Sequence, residues 1–325
     1  MLRNVDLRET RRSFVRKLFV ASQAVMAGGL LPSGVLAASP EPAPVESLKF
    51  IVFGDWGRNG ELDQTQVAAQ MARSAKALPA RFVISVGDNF YDTGVADIHD
   101  PQWQSSFEKV YTDPALQVPW HVILGNHDYY GSCAAQIAYS KTSSRWQMPA
   151  RYYQLTQRID ATSTADFFFL DTTPMIDEYQ LDDQMMIEIR NQDMAAQLDW
   201  FKGALAASTA QWKIVVGHHP IYSGGQHGDC PELIRNLLPI LFENKIQAYF
   251  NGHDHDLQHM VTNDLNMFCT GAGSQVRNTE LMGFSRFAKS DSGFTTVNLS
   301  AHKMVVQMLD STGTVLYTTC IPRIS

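Results

Sequence analysis

Six short apolar runs each close on turn-forming or polar residues: LKFIVFGD, ARFVISVGD, WHVILGNHD, DFFFLD, WKIVVGHH and IQAYFNGHDH. Brief runs rich in β-branched and aromatic residues, ended by Gly, Asp or Asn, read as strands. Between several of them lie helical patterns, DQTQVAAQMARSAKALP (63–79), DMAAQLDWFKGALAAS (193–208) and PELIRNLLPILFEN (231–244). The alternation predicts an α/β chain. Beyond it, NMFCTGAG, FTTVNLS, KMVVQML and TVLYTTCI read as consecutive strands joined by tight turns at 300–302 and 311–313. Two packed sheets with helices outside accommodate both halves. Residues 48–325 show no linker and no internal repeat, so one domain is expected there.

The polar residues gather where the runs end: Asp55, Asp88, Asn126, His127, His218, His253 and His255, with Tyr91 just beyond. In open α/β sheets the carboxyl edge is where loops converge on ligands, each side chain fixed by a rigid strand. Asp55 or Asp88 alone would make an Asx-turn or cap a helix. His253 and His255, at i and i+2, would share one face of a regular strand. Five such endings, all rich in metal-ligating types, point jointly to a metal site.

The N-terminus reads as an export signal. TRRSFVRK (10–17) sets Arg11 and Arg12 ahead of Phe14, and the apolar stretch from Leu18 is diluted by Ser, Gln, Gly and Pro. This is the pattern of a twin-arginine signal over 1–37, cleaved after Ala37 or Ala38, with a Pro-rich leader over 38–47. The expectation is a periplasmic or secreted protein that meets the twin-arginine export machinery and keeps no stable membrane association afterwards. That route carries folded proteins, often ones already loaded with a cofactor. The signal contributes six basic and two acidic residues, so removing its +4 from the chain's −7 leaves −11. Nucleic acid is thereby disfavoured as a partner, while small phosphorylated molecules fit. Cys133, Cys230, Cys269 and Cys320 have no paired metal-ligand spacing. A Cys133–Cys230 bridge stays open either way; Cys269 and Cys320, in apolar strand-like runs, are expected in the core.

In order, GDWG, GDNFY, GNHD, GHH and GHDH resemble the signature blocks of the binuclear metallophosphoesterases, and specifically the purple acid phosphatases. GDNFYDTGVADIHD, PWHVILGNHD, AAQIAYSKTSSRW, GHDHDLQ and TGAG are similar to the small, mammalian-type, tartrate-resistant branch, from about residue 48 to the end. The resemblance implies a four-layer α/β/β/α sandwich of two mixed sheets flanked by helices. It implies one metal held by Asp55, Asp88, Tyr91 and His255, and a second held by Asn126, His218 and His253, with Asp88 bridging. The generic superfamily has a histidine two residues after its first aspartate. Here that position is Gly57, and Tyr91 takes the place of that ligand.

Two carboxylates and a phenolate, all hard oxygen donors, with only one imidazole beside them suit Fe(III), whereas the second set suits a divalent ion, Fe(II), Zn(II) or Mn(II). Zn(II) lowers the pKa of bound water from about 15.7 to about 7, and a trivalent ion should lower it further. The expected reaction is in-line attack of a metal-bound hydroxide on a phosphate monoester, with an acidic optimum.

His127 follows Asn126 directly, points elsewhere, and by resemblance stabilises phosphoryl oxygens or protonates the leaving group. His227 aligns with a second active-site histidine, but Gln226 stands where the family usually has glutamate. His219 has no implied role, and His99, His121, His259 and His302 read as structural or exposed. The segment 172–192 lies where the branch carries a loop over the site. Its acids Asp177, Glu178, Asp182, Asp183 and Glu188 would repel phosphate there, or it is a solvated loop with an apolar side at Met185 and Met186. A phosphodiesterase or nucleotide-specific hydrolase on the same fold, and a redox-active iron protein, are the competing functions.

Overall fold

The computed structural model describes residues 47–324. The expected signal, and the expected leader apart from its last residue, lie outside them. In chain order the strands are β1 (Leu48–Phe53), β2 (Phe82–Ser85), β3 (Trp120–Val122), β4 (Trp146–Gln147), β5 (Tyr153–Arg158), β6 (Thr164–Phe169) and β7 (Trp212–Val216). They continue with β8 (Ala248–Asn251), β9 (Leu257–Thr262), β10 (Leu265–Thr270), β11 (Ser285–Lys289), β12 (Gly293–Leu299), β13 (Lys303–Asp310) and β14 (Val315–Pro322). The α-helices are α1 (Gln64–Ala77), α2 (Cys133–Tyr139), α3 (Met186–Ile189), α4 (Met194–Ala207), α5 (Pro231–Asn236) and α6 (Leu238–Glu243).

One seven-stranded sheet runs β14-β13-β12-β1-β2-β3-β4 and the other β11-β9-β10-β8-β7-β6-β5. Both are mixed: β1 to β4 are parallel, as are β6, β7, β8 and β10, with antiparallel strands added at the flanks. The period-2 alternation of each strand decides which layer its side chains enter. Phe50 and Val52 of β1 face Phe167, Ile214 and Phe250 of the other sheet, while Ile51 and Phe53 turn outward to Val67, Met71 and Ala75 of α1. On the second sheet's outer face, Phe168, Val215 and Tyr249 meet Phe201 and Leu205 of α4 and Leu233 and Leu241 of α5 and α6. Two packed sheets with flanking helices are the predicted architecture. Phe50 stacks on Phe82 at 5.0 Å and meets Phe167 edge-on at 5.3 Å. Burying each such ring contributes about 1.5–3 kcal/mol.

Two expectations need correcting. The single helix read over 231–244 is broken at Leu237 into α5 and α6, because Pro239 lacks the N–H to continue the first helix and sits in the opening turn of the second. Cys320 is exposed, not core. It lies on β14, the edge strand of its sheet, so only part of an apolar-looking run is covered.

Candidate metal centre

Asp55 follows β1, Asp88 follows β2, Asn126 follows β3, His218 follows β7, and His253 and His255 follow β8. All five are parallel strands, so their carboxyl ends meet at one edge of the sandwich. Three of the turns are tight: Asp55, Asp88 and His253 have φ of 60°, 50° and 70°. Such left-handed backbone costs about 1–3 kcal/mol per residue and clusters at functional sites. Gly87, at φ +97°, has no room for a side chain: a Cβ there would lie 2.7 Å from His218 Nδ1 and 2.8 Å from the Gly125 nitrogen. Trp56 anchors the first turn, its buried indole donating to Ser85 Oγ at 2.8 Å.

The buried side chains form two adjoining groups. In the first, Tyr91 Oη lies 3.0 Å from Asp55 Oδ1, 2.8 Å from Asp88 Oδ2 and 3.0 Å from His255 Nε2. In the second, Asn126 Oδ1 lies 3.1 Å from His218 Nε2 and 2.9 Å from His253 Nδ1. Asp88 reaches both, since its Oδ1 is 3.4 Å from His218 Nε2. His218 Nδ1 donates to the Val86 carbonyl at 2.8 Å, which aims Nε2 into the site.

The donor chemistry fits metal ions. Burial raises the Asp55 carboxyl well above the usual carboxylate range, His218 opposes this, and Asp88 adds to it. Burial, then Asp55 and Asp88, hold the Tyr91 phenol well above its ordinary value. Two carboxyls and a phenol in contact, with no Lys or Arg bonded to their oxygens among the described residues, are the surroundings a multivalent cation relieves. The first group offers three oxygens and one nitrogen; the second offers Asp88 Oδ1, a neutral amide oxygen and two imidazoles. His219 stands close to His218 and His253. Its Nδ1 meets Thr172 Oγ1 at 2.8 Å and its Nε2 meets Tyr179 Oη at 3.2 Å, so both nitrogens are engaged.

His127 stands at the mouth, its ring 4.4 Å from that of Tyr91. Its Nδ1 donates to the Asp92 carbonyl at 2.6 Å, and Nε2 has no hydrogen-bond partner among the described residues. The His227 ring is 4.0 Å from that of His253, and its Nε2 accepts from Arg277 at 2.7 Å. A guanidinium only donates, so this ring is neutral with its hydrogen on Nδ1. Burial lowers its pKa, and Arg277 adds to this against the pull of Asp254. In place of a carboxylate partner for the ring there is an arginine. His99 and His302 are exposed; His121 and His259 are buried away from this edge.

Four contributors escaped the sequence reading. Asp128, buried, accepts from the Gly125 and Asn89 backbone N–H groups and from the side chains of Asn89 and Gln136. Asp254 accepts the His227 N–H. Arg58 and Arg277 bring positive charge to the Tyr91 ring and to His227. Asp128 and Asp254 sit inside the quoted motifs, which was the available signal. For the arginines there was none, because their contacts span long sequence separations.

The segment 172–192 is docked. Met185 and Ile189 are buried, Glu188 pairs with Arg151, Tyr130 donates to Asp182 at 3.1 Å, and Asp177 pairs with Arg235 at 3.6 Å. Of its acids, Glu178 lines a cavity of about 250 Å³ beside the site, along with Tyr179, His219, His227, Asp229, Glu232 and His253. Cys133, on α2, lies 3.9 Å from the Asp128 carbonyl, and Cys230 lies 3.5 Å from Glu232 Oε2. Both thiols are free, so no bridge joins them.

The sequence profile of the calcineurin-like phosphoesterase family matches residues 48–257. Purple acid phosphatase 4 of Arabidopsis thaliana is 37% identical over 317 residues, covering 94% of this chain and 92% of its own. Tartrate-resistant acid phosphatase type 5 of Sus scrofa is 37% identical over 317 residues, covering 90% and 93%. A solved structure described as GAP50, the anchor in the inner membrane complex of Plasmodium, superposes with a TM-score of 0.76 at 28% identity, covering 86% of this chain and 90% of that one. Similarity sustained across both chains, through the strands and the turns that end them, means that this chain belongs to the calcineurin-like phosphoesterases and, within them, to the purple acid phosphatases.

Proposed function

We propose that this chain is an exported acid phosphatase that hydrolyses small phosphate monoesters at a binuclear Fe(III)–M(II) centre. The observation that carries it is the straddling position of Asp88, with Oδ2 2.8 Å from Tyr91 Oη and Oδ1 3.4 Å from His218 Nε2. Asp55, Tyr91, His255 and Asp88 Oδ2 would hold Fe(III). Asn126, His218, His253 and Asp88 Oδ1 would hold Fe(II), Zn(II) or Mn(II). When bound, the two ions neutralise phosphate charge and acidify water, so that hydrolysis proceeds in acid.

The chain's own residues do the rest. His127, oriented through Nδ1 by the Asp92 carbonyl, presents Nε2 to the phosphoryl oxygens or the leaving oxygen. His227, with Nε2 occupied by Arg277, has Nδ1–H as the donor it can offer. The cavity beside it is small, which suits a simple alcohol or phenol as leaving group. Export rests on the TRRSFVRK segment, and replacing Arg11 and Arg12 by Lys should leave the protein inside the cell.

The deciding experiment is the visible spectrum of the purified protein, with metal analysis and rates on an aryl phosphate monoester and its diester. A purple protein containing iron and faster on the monoester is expected. A colourless but active protein would remove Fe(III) from the first group, and a faster diester would replace the substrate class.

A further inference from the structure

Arg58 immediately follows the GDWG turn, and its guanidinium carbon stands 3.8 Å from the centre of the Tyr91 ring. The contact is built on several sides. Arg58 Nη2 donates to Gln275 Oε1 at 2.9 Å, Nη1 to Asp92 Oδ1 at 3.2 Å, and its backbone N–H to Gln64 Oε1 at 3.0 Å. Its side chain is 16% exposed, and Nε is buried with no hydrogen-bond partner. The Asp92 ion pair does not explain that burial, because Asp92 is 78% exposed and such pairs contribute little. What the guanidinium gains there is the face of the Tyr91 ring.

We infer that Arg58 is a positioning residue for Tyr91: stacked on the ring, its charge stabilises negative charge in the phenolate and so weakens Tyr91 as an electron donor. The inference rests on the reading of Tyr91 as a ligand of Fe(III). A ferric phenolate absorbs visible light by moving electron density off the ring, and a cation held against that ring opposes the movement. The band therefore stands at shorter wavelength with Arg58 than without it. The same charge favours the reduced state of the ion and raises its potential.

The test is the visible spectrum and metal content of the purified parent, Arg58→Met, Arg58→Lys and Asp92→Asn. In Arg58→Met the band should move to longer wavelength by roughly 5–20 nm, the scale of a cation–π contact, with iron content unchanged. Arg58→Lys, which keeps the charge without the planar stack, and Asp92→Asn, which loosens the tether, should move it the same way by less. These two also carry the test if Arg58→Met does not fold. A purple parent whose band is unmoved by these substitutions overturns the inference and leaves Tyr91 a ligand. A colourless parent overturns the ligand reading, and the role of Arg58 with it.

Discussion

Replacing Asp128 by Ala removes the acceptor that ties three parts of the catalytic edge together. Its carboxylate takes the Gly125 N–H at 2.8 Å, the Asn89 backbone N–H at 3.1 Å, Asn89 Nδ2 at 3.2 Å and Gln136 Nε2 at 2.7 Å. These join the turn after β2, the turn after β3 and helix α2. Asp128, Asn89 and Gln136 are fully buried, so bulk solvent does not reach the four donors, and a single water trapped in the space left satisfies only part of them. A buried donor left unpaired costs about 1–3 kcal/mol. Partial relaxation of four donors brings the expected loss to about 3–6 kcal/mol, a large part of the roughly 5–15 kcal/mol that holds a folded domain. Urea unfolding followed by tryptophan fluorescence should show a lower midpoint at unchanged slope. Gln136→Ala, which removes one of the four donors, should cost about 1–2 kcal/mol. Because Asp88 and Asn126 sit on the tied turns, the purified Asp128→Ala protein should also retain less metal, by about 10–100-fold in affinity. A loss under about 1 kcal/mol with full metal content would refute the claim that Asp128 organises this edge.

Glu178 is the acid of segment 172–192 that reaches the cavity beside His227. Glu178→Gln should lower KM for a phosphate monoester about two- to five-fold and leave kcat within about two-fold, the pattern of a repulsion acting at binding. An unchanged KM would place the charge out of reach of the substrate. Burial lowers the pKa of both His121 and His259 from 6.5 to about 4. The folded state thus holds fewer protons than the unfolded one between those values. The associated stability is complete above pH 6.5 and is lost as pH falls towards 4, about 3 kcal/mol for each residue. His259→Gln should flatten the decline of the urea midpoint over that window, and an identical decline in parent and variant would exclude His259 as a cause. Chelation under reducing conditions should abolish activity and lower Tm, since it leaves Asp55, Asp88 and Tyr91 buried together without a cation. A Tm indifferent to chelation would mean that these residues hold no ion.

The layers were legible because strand periodicity is local. Phe50 and Ile51 enter opposite layers through the pleat alone, and Gly followed by Asp, Asn or His marks where five of the six runs stop. Six of the seven proposed ligands were legible because each lies in the turn that ends a strand; Tyr91, six residues past β2, was legible through the resemblance. What failed was decided by position in the sheet or by distant contacts. Cys320 looks like a core residue until β14 turns out to be an edge strand. Arg58 looks like a surface charge until Gln275, over two hundred positions away in the chain, fixes its guanidinium near Tyr91. The fate of Glu178 depended in the same way on Met185 and Ile189 burying the far end of its segment.

The exchange of a histidine after the first aspartate for Tyr91 follows from packing as well as from donor chemistry. A Cβ at Gly57 would lie 1.8 Å from the Asn89 carbonyl oxygen and 2.7 Å from its carbon, which is full overlap with backbone. The Gly57 carbonyl in turn accepts the Tyr91 N–H at 2.8 Å, and this bond draws the Asn89–Tyr91 turn onto the first loop. Asn89 is held from behind by Asp128 and by the Ile123 carbonyl, so the turn has little freedom to retreat. An imidazole at 57 and a phenol at 91 are therefore alternatives that the same space does not admit together. Gly57→His should accordingly unfold the edge instead of adding a fifth ligand, at a cost above the roughly 1–3 kcal/mol of ordinary overpacking because the clash is with backbone. Its soluble yield and iron content, compared with those of Tyr91→Phe, decide the matter. A folded Gly57→His protein with full iron would show that the turn can yield, and that the phenol was chosen for its donor chemistry alone.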